Sequence, residues 1–319
     1  ETETVQNFDR SNEFCIPPLL VHLQPVDPPR GNLARPTPRR RRFPVGRTRR
    51  GRQSPRGDPP GPGDPPVRWA ALARPGARTL RPAQVACLDA AWAARVEAPG
   101  PWGPRGVVGL VGCGHGKTLV AQLAPLLLGA ERPILLLPAA LVDQTARDVA
   151  EWAPEYPVAA PRTVSYELLS HPRRGPRLLD ELAPDLVIAD EAHLLGNPLG
   201  ARWLRLARYL QARPACRFVA LSGTLTWRSV RQLAHVLHAA LRDRSPIPPG
   251  SLDALSAVVD VGGVATSADW SAVEASLGPL ARTKEAARVA LHARLASTPG
   301  VVWAPGVAAD VSLTIDVVR

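Results

Sequence analysis

Two short segments of this chain carry residue types suited to binding and splitting phosphate groups. The first is Gly112-Cys113-Gly114-His115-Gly116-Lys117-Thr118. Glycines let the backbone curl so that successive N–H groups face one point, and a following helix adds partial positive charge there. Lys117 could reach terminal phosphates and Thr118 could hold Mg²⁺. Lys117 is one of only two lysines, with Lys284, among 39 Lys and Arg residues. A chain that otherwise uses arginine has a flexible point charge where phosphate chemistry suits one. The full phosphate-loop pattern asks for glycine five residues before Gly116, and Val111 stands there. An ordinary strand-to-helix turn is the alternative. The second segment is Asp190-Glu191-Ala192-His193. Asp190 could hold Mg²⁺ through water, and Glu191 could orient and deprotonate an attacking water. The alternative here is a helix start at which two acids favour the dipole.

The surrounding pattern predicts the elements that would hold these residues. Apolar runs at Val107–Val111, Ile134–Leu137, Thr163–Tyr166, Leu186–Ala189 and Phe218–Leu221 are nearly free of polar residues, as strands buried on both faces are. Between them lie helix candidates: Leu119–Leu128, Leu141–Ala153, Arg202–Gln211 and Val230–Leu241. This alternation predicts an α/β fold with a mostly parallel sheet flanked by helices, joined by right-handed crossovers. A phosphate loop after one strand and a carboxylate at the end of another then share one sheet edge, where open α/β sheets bind ligands. Glu285–Ala296 reads as a further helix and Val311–Val318 as a further strand.

Composition bounds the rest. The chain has 319 residues, 45 % of them hydrophobic, enough for one large domain or two ordinary ones. Cys15, Cys87, Cys113 and Cys216 form no CxxC pair and no zinc spacing, which fits a reducing cytoplasm without disulfides. No apolar run is long enough for a membrane span, and residues 1–20 lack the features of a secretory signal. Methionine is absent, even at position 1, which suggests a fragment or a processed product. The net charge is +11, and residues 30–57 hold eleven arginines and no acid. The basic character therefore belongs to that stretch, and the remainder is balanced. With 36 prolines and 25 glycines in the chain, many of them early, residues 1–66 read as a largely disordered segment. The arginine stretch would bind nucleic acid by releasing counterions, or it is a solvated linker. Only Phe43 could stack on a base there, so any binding would be electrostatic.

Taken in order, Leu80-Arg81-Pro82-Ala83-Gln84, the loop at 112–118, Leu136-Leu137-Pro138 with Gln144, Thr163-Val164-Ser165-Tyr166, the DEAH segment at 190–193 and Leu221-Ser222-Gly223-Thr224 resemble the first RecA-like domain of a superfamily 2 helicase or translocase. Trp152, "VSYELL" and "LSGTLTWRSVRQL" are similar to the chromatin-remodeller-type branch and its bacterial and phage relatives. The resemblance covers roughly residues 76–241. It implies an ATP-binding domain at 67–241, with 242–319 as a helical linker or insertion leading to a second RecA-like domain. It implies that Gln84 contacts adenine with support from Arg81. Gly112, Gly114, His115, Gly116, Lys117 and Thr118 would form the ATP cradle, with Thr118 and Asp190 serving Mg²⁺. Lys117, Asp190 and Glu191 would be the catalytic residues. His193, Ser222 and Thr224 would couple the nucleotide state to domain movement, and Pro138, Thr163 and Ser165 would lie near the nucleic-acid backbone, DNA being favoured. Blander roles remain: Arg81 and Gln84 as a helix start, Ser222 to Thr224 as a strand-ending turn, and Cys113 and His115 as tolerated loop residues.

The chain departs from that family in one respect. No Gln-x-x-Gly-Arg-x-x-Arg segment follows Thr224, and the residues left are too few for the second domain that carries it. Its arginine finger is worth about 10³–10⁵ in rate. This chain alone is therefore expected to bind nucleotide but hydrolyse it weakly. The alternative function is a nucleic-acid-binding module whose nucleotide site is regulatory or vestigial. A P-loop kinase or GTPase is disfavoured, since the DEAH and Ser-Gly-Thr segments have no role there and no guanine-reading Asn-Lys-x-Asp occurs.

Overall fold

The computed structural model describes residues 72–96, 104–112, 114–223 and 229–304. The expectations for residues 1–66, the strand at Val311–Val318, Cys113 and Thr224 lie outside the described residues. Six strands form one sheet: β1 (Gly106–Val111), β2 (Pro133–Leu137), β3 (Arg162–Ser165), β4 (Leu186–Asp190), β5 (Arg217–Ser222) and β6 (Val301–Ala304). The helices are α1 (Pro82–Val96), α2 (Lys117–Leu128), α3 (Val142–Trp152), α4 (Tyr166–Ser170), α5 (Gly175–Leu182), α6 (Ala201–Ala212), α7 (Arg231–Leu241), α8 (Leu252–Val259), α9 (Ser267–Leu277) and α10 (Lys284–Ser297).

The strand order is β3-β2-β4-β5-β1-β6, and all five pairings are parallel. The fold is therefore α/β with helices on a parallel sheet. Alternate strand residues point to opposite faces, and both faces are apolar, which is why the strands read as unbroken hydrophobic runs. Val108, Leu110, Leu136, Val187, Ala189, Phe218 and Ala220 face a core closed by α4 to α8 and α10. Val107, Val111, Leu135, Leu137, Ile188, Val219 and Leu221 face a second core closed chiefly by α1 and α2. The helix α2 is apolar nearly all round and almost wholly buried, and it continues through Pro125. Only Thr145 of α3 is fully buried, so its apolar stripe lies at the margin of the second core.

The five predicted strands lie within a residue or so of the runs read from sequence. The region from 242 onward, expected as a helical linker or insertion, is helical in α8, α9 and α10. Its described residues close with β6, which pairs with β1 from Val108↔Val301 to Val111↔Ala304. Leu255, Val258, Leu291 and Leu295 of these helices join the same core as β4 and β5. Among the described residues, no helix is long and apolar enough to cross a membrane.

Candidate functional site

The carboxyl ends of the strands meet at one sheet edge, and most of the predicted site residues lie there. Gly112 ends the run of β1, and its N–H donates to Ala304 O of β6 at 3.0 Å. The chain then turns through Gly114 (φ 78°) and Gly116 (φ 74°), both in the left-handed region that glycine enters without a Cβ penalty. Gly116 is the N-cap of α2, and Lys117 and Thr118 open the helix. Their N–H groups precede any intrahelical acceptor, so they remain available to an anion.

The strand β5 sits between β1 and β4, so the segments at 112–118 and 190–193 emerge one strand apart. Lys117 Nζ lies 3.7 Å from Glu191 Oε1 across that gap. Lys117 is only 9 % exposed and Asp190 only 6 %. Burial pushes the Asp190 carboxyl up to about 6; the adjacent Glu191 charge adds to the shift and Lys117 opposes it. Glu191 takes a left-handed backbone (φ 53°, ψ 49°), which costs a non-glycine residue about 1 kcal/mol. Its own N–H donates to Asp190 Oδ1 at 3.0 Å. Ala160, Ala183 and Arg242 also take positive φ, but at this edge the strained residue is the one whose carboxylate lies beside Lys117.

His193 and Ser222, expected as coupling residues, lie side by side. His193 Nδ1 is 3.2 Å from Glu191 Oε2 and 3.3 Å from Ser222 Oγ. The ends of β4 and β5 are thus joined through one ring nitrogen.

On the other flank, Gln84 Nε2 donates to Gly116 O at 3.1 Å, and Gln84 Oε1 accepts from Arg81 N at 2.8 Å. Arg81 NH1 also donates to Gly114 O. A Cβ at Gly116 would overlap the Gln84 amide, so that position requires glycine on two counts. These contacts frame a cleft of about 310 Å³ lined by Arg78, Arg81, Gln84, Leu119, Trp152 and Tyr156, among others. Arg78 closes its rim through Glu151 at 2.9 Å and Glu155 at 2.8 Å. Sequence reasoning missed Arg78, Glu151 and Glu155, since isolated surface charges give no periodic signal, and it missed Tyr156 of the cleft wall as well.

Of the positions expected near nucleic acid, Pro138 follows β2 and Ser165 ends β3, farther along the same edge. Leu137 is level with Ser165 in the register. Ser165 Oγ accepts from Leu168 N at 3.0 Å and so caps α4. Glu167 Oε2 accepts from Ala139 N at 3.0 Å, fastening the turn after Pro138 to α4. Thr163 is exposed but lies two residues short of the strand end. The fully buried Tyr166, quoted in sequence but given no role, donates its hydroxyl to Asp190 O at 2.8 Å. It fixes the strand end that carries the carboxylates. Burial raises its phenol well above the ordinary value, so it stays a donor.

Thr118 and Asp190, the residues expected to serve Mg²⁺, carry oxygen donors of the kind that ion takes. One hydroxyl (Thr118) and one carboxylate (Asp190) are near the usual complement for an ion that keeps its waters. Among the described residues, no group of three or more His, Cys, Asp or Glu side chains gathers into an all-protein metal cage. No protein-family model matches the sequence, and no curated protein matches it.

Proposed function

We propose that this unit is the RecA-like, ATP-binding motor domain of a superfamily 2 DNA helicase or translocase. The observation that carries the proposal is the meeting of Lys117 with Glu191 across β5, with Asp190 buried beside them. Three further features support it. Gly114 and Gly116 adopt φ values that let the loop curl around an anion. Gln84 and Arg81 brace that loop from the cleft side. His193 bridges to Ser222 on the neighbouring strand.

In this role the ATP phosphates lie against the N–H groups at the start of α2 and the Lys117 ammonium. Thr118 and, through water, Asp190 would hold Mg²⁺, which would supply positive charge against the phosphates. Phosphate competes with Glu191 for Lys117. That leaves the Glu191 carboxylate to orient water and take its proton. A change in Glu191 reaches Ser222 through His193, which gives the nucleotide state a route to the next strand. Full turnover calls for an arginine from a second RecA-like domain, in cis or on another chain. Lys117→Ala should weaken binding of a fluorescent ATP analogue by about a hundredfold. Unchanged affinity in a variant that melts like the parent would end the proposal.

A further inference from the structure

The turn between α4 and α5 carries a second cavity that the nucleotide chemistry does not use. It measures about 410 Å³ and is lined by Leu168, Arg173, Arg174, Arg177, Leu178 and Glu181. The neighbouring arginines are engaged. Arg205 donates to the carbonyls of Leu169 and His171. Arg208 donates to Pro176 O and lies 3.7 Å from Asp180, as does Arg213. Arg202 stands 5.8 Å over the Tyr166 ring. By contrast, no carboxylate among the described residues pairs with Arg173, Arg174 or Arg177, and all three are exposed.

The turn that presents them is fixed by its own contacts. His171 Nδ1 accepts from the N–H of both Arg173 and Arg174 at 3.2 Å. Gly175 N donates to His171 O at 2.9 Å. Gly175 is buried against Leu169 O and the Arg205 guanidinium, where a Cβ would not fit. Arg174 and Arg177, three residues apart at the start of α5, share one face of that helix. Outside residues 30–57 the chain's acids and bases balance, so three unpaired arginines with one acid are a local excess.

We infer that Arg173, Arg174 and Arg177 form a phosphate clamp that grips the backbone of a bound nucleic acid beside the β2–β3 edge. This rests on the motor-domain proposal above. The turn follows directly on α4, whose N-cap is Ser165 and whose Glu167 holds the Pro138 turn. The clamp therefore continues the edge on which Pro138 and Ser165 lie. Arginine suits the task, because its planar fork meets phosphate oxygens two at a time. No base-stacking aromatic lines the cavity, so it reads charge and not sequence.

The test measures anisotropy of a labelled oligonucleotide, single-stranded and duplex, against salt concentration. It uses the full chain and its R173A/R174A/R177A variant. Both keep residues 30–57, so the difference isolates the turn. The variant should lower the slope of log affinity against log salt by about 2–3 and cost on the order of tenfold or more in affinity. An R173K/R174K/R177K variant should recover most of the slope. ATP-analogue affinity should not move. An unchanged slope in a variant that still binds ATP overturns the clamp and leaves the motor proposal standing. Parent chain that binds oligonucleotide but no ATP removes the motor proposal, while the slope still judges the clamp. Equal loss of binding to poly-glutamate would assign the turn to acidic protein and overturn the inference.

Discussion

At the amino edge of the sheet, Asp185 accepts from the N–H groups of Glu131 and Arg132 at 2.7 and 2.9 Å. At the carboxyl edge, one residue past β4's apolar run, Asp190 is buried beside a second carboxylate with Lys117 as the nearby cation. The amino edge neutralises its polar groups with backbone. Arg105 donates to Leu210 O at 2.6 Å, and Arg217 donates to Ala94 O at 3.1 Å. Burial lowers both guanidiniums, Arg105 to about 10. The carboxyl edge keeps its charges on one another instead, at a cost in stability. Groups spent on the scaffold hold the strands in place, whereas groups left in mutual tension are free to trade partners with a ligand.

That contrast can be broken by substitution. The largest effect should come from Gly106→Ala at the amino edge. A Cβ there would run into the Phe218 carbonyl across the β1–β5 pairing. A loss of about 3 kcal/mol or more is expected in urea unfolding. A smaller loss would show that the strand pair gives way easily.

Next is Asp190→Asn, with the opposite sign. The folded carboxyl titrates near 6 against an ordinary value of 3.8, so the native state holds its proton to higher pH than the unfolded chain does. Between about pH 4 and 6 the native state therefore binds more protons, and stability falls as pH rises. In metal-free, nucleotide-free buffer the variant should be more stable at pH 7 by on the order of 1–3 kcal/mol, with the gain vanishing near pH 4. A pH-independent difference would mean that Asp190 bears no burial penalty.

The smallest of the three is Asp185→Ala. Two backbone donors lose their acceptor, costing about 1–2 kcal/mol. ATP-analogue affinity should stay within twofold. A large affinity loss would mean that the two edges are not separate in function.

Much of this arrangement was legible in the sequence, for a physical reason. Strands buried on both faces must be apolar throughout, so β1, β2, β4 and β5 stand out as runs, and residues just past such runs must lie at an edge. The meeting of Lys117 with Glu191 follows from that rule together with the glycines of the loop. The strand β6 escaped notice because Val301-Val302-Trp303-Ala304 is too short a run to tell from a helix end. The helix α9 carries little periodicity, and its start is marked instead by the Thr266–Asp269 capping box. The Gln84 amide is committed to Gly116 and Arg81, a contact between segments 32 residues apart that no local pattern encodes.

The placement of β6 has a mechanical consequence. Ala304, its last residue, is hydrogen-bonded to Gly112 where the chain leaves β1, and the strand runs parallel to β1 over four registered pairs. Tension applied to the chain beyond Ala304 along the strand axis loads those pairs in shear, and the bond to Gly112 is the first to bear it. A pull on this strand end thus reaches the turn that carries Gly114 and Gly116 with no lever arm between.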